Sequence, residues 1–393
     1  MQTLSQSPTD ADFVQNPYPF YERARAAGPF FRWADYDLIC TVNAAAAHAI
    51  FRDRRFGREV PPELAQPIAP HTAAFYGVEA HSMLELEPPR HTRLRGLVLR
   101  AFTSRRIASL SGDIESLSHS LIDALPEGEF DLIAGFAQPL PVIIIARLLG
   151  VPEAMAPQLL RWSNAMVGMY QARRTRAMED AANDAARDFG DFLRGYVEQR
   201  RAAPADDLIT QLIAAESEGE RLSTDELITT CILLLNAGHE ATVHTLGNGV
   251  KTLLETGTAD LLLSPDKVPA AVEEILRFDP ALHMFTRYAY ETVEVMGQTF
   301  TRGQQIGLLL AGANRDPALW DRPDQFLPDR PERPNLTFGA GLHFCVGAPL
   351  ARLELQVALP ILLRRLPGLR LAAAPRYADV YHFHGLERVL LTR

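Results

Sequence analysis

Residues 222–255 constrain the fold most. Leu222-Ser223-Thr224-Asp225-Glu226 sets a serine three residues before a glutamate, the spacing of a reciprocal N-terminal helix cap, with Leu222 placed to pack on Leu227. Helical periodicity then continues to about Glu255, giving ~32 residues and ~48 Å at 1.5 Å per residue, enough to cross a whole domain. The middle of this helix breaks pattern. After Cys-Ile-Leu-Leu-Leu come Asn236, Ala237, Gly238, His239, Glu240, Ala241 and Thr242, a polar cluster around a helix-weakening glycine. Such a stretch either faces solvent or forms a packing notch, or it lets something large lie across the helix at Gly238 with an acid beside it.

Apolar residues recur at three- and four-residue steps through roughly 91–125, 139–150, 155–202 and 205–256, so helices predominate. Period-two patterning is confined to residues 30–42 and 288–310, with Gly297 and Gly303 as turn punctuation. The pattern predicts a mainly α fold with small β-sheets rather than alternating strands and helices. Residues 316–334 hold five prolines among many charged side chains and read as an irregular meander.

With 39 basic and 48 acidic residues the formal charge is −9, which argues against a nucleic-acid partner, whose footprint is a basic excess. The N-terminal MQTLSQSPTDADF has neither the basic start nor the apolar stretch of a secretory signal, and no segment approaches the ~18 apolar residues of a membrane span. A soluble, cytoplasmic protein without a membrane partner is expected. Cys40, Cys231 and Cys345 are odd in number and far apart, with no C-x-x-C, so neither a disulfide framework nor a structural zinc site is indicated. Cys40 in an apolar strand and Cys231 on a helix face read as packing.

Several motifs fail on geometry. His239-Glu240 with His244 suggests a zinc protease, but at i, i+5 the rings point ~140° apart at 100° per residue. Gly339-Ala340-Gly341 lacks both the third glycine of a dinucleotide loop, where Phe344 stands, and a following βαβ unit. His382 and His384, two apart in a strand, share a face, a pattern commoner in pocket lining or on a surface than in a metal site.

The segment Phe338-Gly339-Ala340-Gly341-Leu342-His343-Phe344-Cys345-Val346-Gly347 is different, because its glycines permit tight turns and close approach just before a helix that starts at Ala348. A helix N-terminus lowers a thiol's pKa, so Cys345 is placed to act as a thiolate, either nucleophile or metal ligand.

At these residues the chain resembles the cytochrome P-450 haem-thiolate monooxygenases of soluble bacterial type. F-x-x-G-x-H-x-C-x-G is matched in full from Phe338 to Gly347. Glu274-Ile275-Leu276-Arg277 resembles the family's E-x-x-R pair, which joins Arg330 in a structural charge triad. His91-Thr92-Arg93-Leu94-Arg95 resembles the H-x-x-x-R beside the haem, and Ala237-Gly238-His239-Glu240 the oxygen-binding groove. The resemblance implies one catalytic domain over residues 1–393, with a long central helix over the haem.

It further implies haem b (iron protoporphyrin IX) held by Cys345 as metal ligand, with Phe338, Gly339 and Gly347 shaping the loop and His91, Arg95, Arg287 and His343 binding the propionates. Ala237, Gly238, Glu240 and Thr242 form the implied catalytic set. The family's threonine after the acid is Ala241 here, and Thr242 stands ~100° further around the helix, so Glu240, ordered water or the substrate would supply protons. Pocket lining is expected from Met83, Leu84, Leu233, Asn236, His283, Met284, Phe285 and Phe383 around an apolar substrate. The implied function is insertion of one oxygen atom of O2 with two electrons from a ferredoxin and its reductase, docked on Arg93, Arg100, Arg105, Arg106 and Arg352. A peroxide-driven peroxygenase and a non-catalytic haem-binding protein are the alternatives.

Overall fold

The computed structural model describes residues 1–393 except 172, 218, 332 and 382. The helix expected from Ser223 is Thr224–Thr256, 33 residues long. Ser223 Oγ accepts the Glu226 amide at 3.2 Å and Glu226 Oε2 accepts the Ser223 amide at 2.9 Å, which closes the reciprocal cap. It ends at Gly257, whose φ of 66° is the left-handed conformation that stops a helix. Most of its side chains are buried, so it runs through the interior, with helices Pro139–Leu149, Ala156–Val167, Arg176–Ala202 and Val268–Phe278 packed around it.

The other helical stretches are more divided than their periodicity indicates. Residues 91–125 become Arg90–Ala101, Ser104–Ser109 and Ser111–Asp123, and Leu208–Ala214 precedes the central helix. Three of the new helix starts carry a side-chain cap. Thr103 accepts the Arg106 amide, Thr175 that of Met178, and Asp207 that of Thr210. A cap satisfies free amides locally, so an apolar stripe can continue across a break in the backbone.

A six-stranded sheet runs in the order Gln2–Leu4, Phe31–Trp33, Leu38–Thr41, Gln305–Leu309, Met284–Ala289, Phe56–Gly57. Ile306 pairs with Ile39 in parallel on one side and with Arg287 in antiparallel on the other, which joins the two strand regions expected from sequence. The hairpin of Val293–Val295 and Gln298–Phe300 turns through Met296 and Gly297, with φ of 47° and 79°. The strands Glu129–Asp131, Arg370–Leu371 and Leu390–Thr392 form a second sheet that the sequence did not reveal, each being too short for period-two patterning to register. No helix of the described residues is long and apolar enough to cross a membrane.

The irregular segment after residue 314 is tied down by charge. Glu274 and Arg277, with side chains 2% and 1% exposed, form a bidentate pair, Nη2 to Oε1 and Nε to Oε2 both at 2.7 Å. Arg330 Nε lies 3.3 Å from Glu274 Oε2, and the Leu327 amide donates to Oε1 at 2.8 Å. Arg277 Nη1 also donates to the carbonyls of Asn314 and Pro323, at 3.0 and 2.9 Å.

Candidate functional site

The loop before helix Ala348–Arg365 is bent at Gly339 and Gly341, with φ of 67° and 70°. The Cys345 amide donates to the Phe338 carbonyl at 3.1 Å, and the Phe344 amide to Gly341 at 3.1 Å. At Gly341 an added Cβ would run into the Phe51 carbonyl oxygen, so this position needs glycine for both conformation and space. The partly buried Cys345 thiol lies at the helix start beside the backbone of Gly347 and Ala348, and the Ala348 amide donates to the Cys345 carbonyl at 3.5 Å. Burial pushes the thiol pKa up, and that backbone with Arg95 and Arg352 pulls against it without prevailing. Desolvation thus works against the lowering that the helix start exerts on this thiol. Burial also pushes Cys40 and Cys231 up to about 12, as packing residues.

Beside the loop lie donors with little to bond. The His91 and His343 rings are 4.3 Å apart; His91 is buried with Nδ1 unpartnered, and burial, then His343 and Arg95, push its pKa down to about 4. His343 Nε2 lies 2.9 Å from Glu87 Oε1. Burial raises Glu87, but His343 and the Arg58 amide hold it below the usual carboxylate range. Arg95 donates to the Phe344 carbonyl at 2.6 Å and Arg287 to that of Thr286 at 2.8 Å, and among the described residues neither meets a carboxylate. Arg287 is buried over the Phe51 ring, 4.9 Å from its centre, and desolvation and nearby Arg58 push it down to about 9. A buried Arg287 and a half-buried Arg95 that meet no carboxylate, and a buried His91 with a free Nδ1, beside a cysteine at a helix start, fit haem, whose iron would take the sulfur and whose propionates would take these donors.

The central helix presents one accessible face in its buried middle. Between 233 and 244 the residues not buried are Leu233, Leu234, Asn236, Ala237, Gly238, Glu240, Ala241 and His244, and of these Leu233, Ala237, Glu240, Ala241 and His244 share one face of the helix. Ala237 and Glu240 of the expected catalytic set lie on it. An added Cβ at Gly238 would come within 2.8 Å of Ile145 Cδ1, so the missing side chain makes room for a neighbouring helix. Thr242 is buried and its Oγ1 donates to the Gly238 carbonyl at 2.9 Å, so its hydroxyl is spent on the backbone. His239 is buried with both ring nitrogens unpartnered, and burial lowers it to about 4.

The expected pocket residues scatter. Leu233, Asn236, Leu84, Phe285 and Phe383 are half-buried. Asn236 Nδ2 lies 3.7 Å from Met166 Sδ, and the Arg58 guanidinium is 5.6 Å from the Phe285 ring centre. Met83 is buried in the main core. Met284 packs with Tyr21, Trp33 and Cys40, while Phe285 packs with Phe51 and Ile306, since successive strand residues face opposite ways. His283 is also not free for a ligand: its Nδ1 is 2.8 Å from the Tyr21 hydroxyl, inside a fully buried network. Asp279, His283 and His384 there bring potential metal-binding atoms within 4.8 Å of one another. The Asp279 oxygens already accept from the Tyr18 and Tyr377 hydroxyls, and the Arg315 guanidinium lies over the Tyr18 ring, so the cluster reads as a closed polar network. His382 lies outside the described residues.

Of the expected basic docking face, Arg93 pairs with Glu226, Arg106 with Asp206 and Arg352 with Glu273, while Arg105 is exposed. Sequence reasoning missed Glu87, Arg58, Phe51 and Ile145, which enter only through long-range contacts, and His244, whose i, i+4 spacing to Glu240 was visible.

A family model described as Cytochrome P-450 matches residues 268–367. The polyketide biosynthesis cytochrome P-450 PksS of Bacillus subtilis (strain 168) is 36% identical over 387 residues, covering 95% of this chain and 94% of that protein. The biotin biosynthesis cytochrome P-450 of the same organism is 34% identical, covering 99% of each. The crystal structure of P-450 BioI in complex with hexadec-9Z-enoic acid ligated acyl carrier protein superposes with a TM-score of 0.91 at 34% identity, covering 97% of this chain and 99% of that one.

Proposed function

Since the chain belongs to the cytochrome P-450 family and is a monooxygenase of that family, we propose that it inserts one oxygen atom of O2 into a long apolar acyl or polyketide chain. The whole of residues 1–393 serves as one catalytic unit in the cytoplasm, with two electrons supplied by a ferredoxin and its reductase. The observation that carries this reading is Cys345, presented by a loop bent at Gly339 and Gly341 at the start of helix Ala348–Arg365, beside cationic side chains that meet no carboxylate among the described residues. Bound haem b supplies one-electron and dioxygen chemistry that no protein side chain offers.

This chain's residues hold, exclude and deliver. Cys345 would bind the iron, with the backbone of Gly347 and Ala348 at the helix start beside its sulfur to tune it. His91, Arg95, Arg287 and His343 receive the propionates. Phe338, under the Arg352 guanidinium at 4.6 Å, covers the loop. Leu233, Ala237 and Ala241 leave the accessible helix face apolar and small, so that the substrate lies close and water is kept out. Glu240 passes protons into the site through its carboxylate, because Ala241 lacks a hydroxyl and Thr242 spends its own on Gly238. The substrate class is supported by the relatives, one named for polyketide biosynthesis and one solved with an acyl group on its carrier protein.

The test is isotopic. With NAD(P)H, ferredoxin and reductase, substrate identified by a spectral-shift screen of acyl and polyketide compounds should yield product carrying oxygen from 18O2. Faster turnover with hydrogen peroxide and no 18O2 label would instead establish the peroxygenase, and haem binding without any product would establish a binding protein.

A further inference from the structure

Glu240 does not stand alone on the accessible helix face. One turn further, His244 Nε2 lies 3.2 Å from Glu240 Oε1. We propose that His244 is the proton-holding partner of Glu240: the Nε2–H is bonded to the carboxylate, keeps it aimed along the accessible face, and passes it the proton that Glu240 then delivers. The inference rests on the proton-delivery role given to Glu240 above.

Three observations support it. The ring occupies a place made for it, because an added Cβ at Gly385 would collide with the His244 imidazole. The Phe383 ring, 5.7 Å away, walls the other side. Nδ1 has no partner and is shielded from solvent, so the hydrogen bond to Glu240 decides the ring's orientation. The remaining titratable neighbours among the described residues are His239, with Nδ1 3.6 Å from Glu240 Oε2, and His384 on the C-terminal segment, both driven neutral by burial. Glu240 is held below the usual carboxylate range: burial raises it, but the His244 hydrogen bond and charge, with His239, outweigh burial.

The proton balance is simple. The His244 Nε2–H bond breaks as an Oε1–H bond forms on Glu240, so the ring gives up one proton and the carboxylate becomes neutral acid. The acid gives its proton to the site, and a proton from water restores the Nε2–H, the side chain being 14% exposed.

The test uses the ferric holoenzyme. The infrared band of the protonated carboxyl that disappears in Glu240→Gln marks Glu240. In His244→Phe its titration midpoint should rise by about one unit or more, since burial is then less opposed. Product formed per electron pair should fall about tenfold, with the substrate spectral-shift affinity changed less than twofold. His244→Gln, which keeps an N–H donor, should recover part of the midpoint shift but little coupling. Should His244→Phe not fold, Gly385→Ala displaces the same ring and should raise the midpoint in the same direction. A wild-type midpoint or wild-type coupling in His244→Phe overturns the pairing while Glu240→Gln still uncouples. Normal coupling in Glu240→Gln would instead remove the role of Glu240 on which the pairing depends.

Discussion

Glu274→Gln is expected to cost about 3–5 kcal/mol of folding stability, because it leaves Arg277 a buried cation without its anion. Against total stabilities of about 5–15 kcal/mol this is a large share. The effect should be large because Glu274 collects several donors: the Arg277 fork, Arg330 and the Leu327 amide. An amide oxygen could keep one such bond, but its NH2 would face the Arg277 and Arg330 guanidinium groups. The irregular segment from Asn314 to Arg330 would lose its anchor to helix Val268–Phe278, and the Cys345 loop follows directly on that segment. Denaturant unfolding should show a much lower midpoint, or the variant should accumulate unfolded and without haem. A midpoint within about 1 kcal/mol of wild type would reduce the pair to the worth of a surface salt bridge.

Gly341→Ala is expected to displace the Cys345 loop and deplete haem while leaving the helices intact. The residue holds φ at 70°, and its Cβ would meet the fixed backbone carbonyl of Phe51 rather than a side chain that can swing away. A left-handed alanine alone costs about 1–2 kcal/mol, and the collision adds to it. Gly339→Ala is the control: φ is 67°, but the nearest atom to its Cβ is Phe51 Cε1 at 3.8 Å, so only the conformational cost applies. Haem per folded chain should therefore fall in the order wild type, Gly339→Ala, Gly341→Ala, with far-ultraviolet circular dichroism nearly unchanged. Equal haem content in the two variants would show that the approach to Phe51 does not shape the site.

What was legible in the sequence is what short spacing carries. The Ser223–Glu226 cap, the 33-residue helix and the Glu274–Arg277 pair each depend on residues three or four apart, and the structure has all three. What was illegible depends on which distant atom fills a space. At Gly238 the missing side chain was readable, but not Ile145 packed beside it. Thr242 was placed off the expected position by its ~100° turn around the helix, but its bond to the Gly238 carbonyl was not readable. Met284 and Phe285 looked like neighbours in one pocket, and the strand pleat sends them to different cores. At Cys345 the helix start was readable, but not the burial that works against it.

The central claim is that Cys345 supplies a thiolate to haem iron. The most direct measurement is the absorption spectrum of the reduced, carbon-monoxide-bound protein, for wild type and Cys345→Ala side by side. Wild type should show a strongly red-shifted Soret band that is lost in the variant. Well-folded, haem-loaded wild type without that band, or a variant that keeps it, would contradict the assignment.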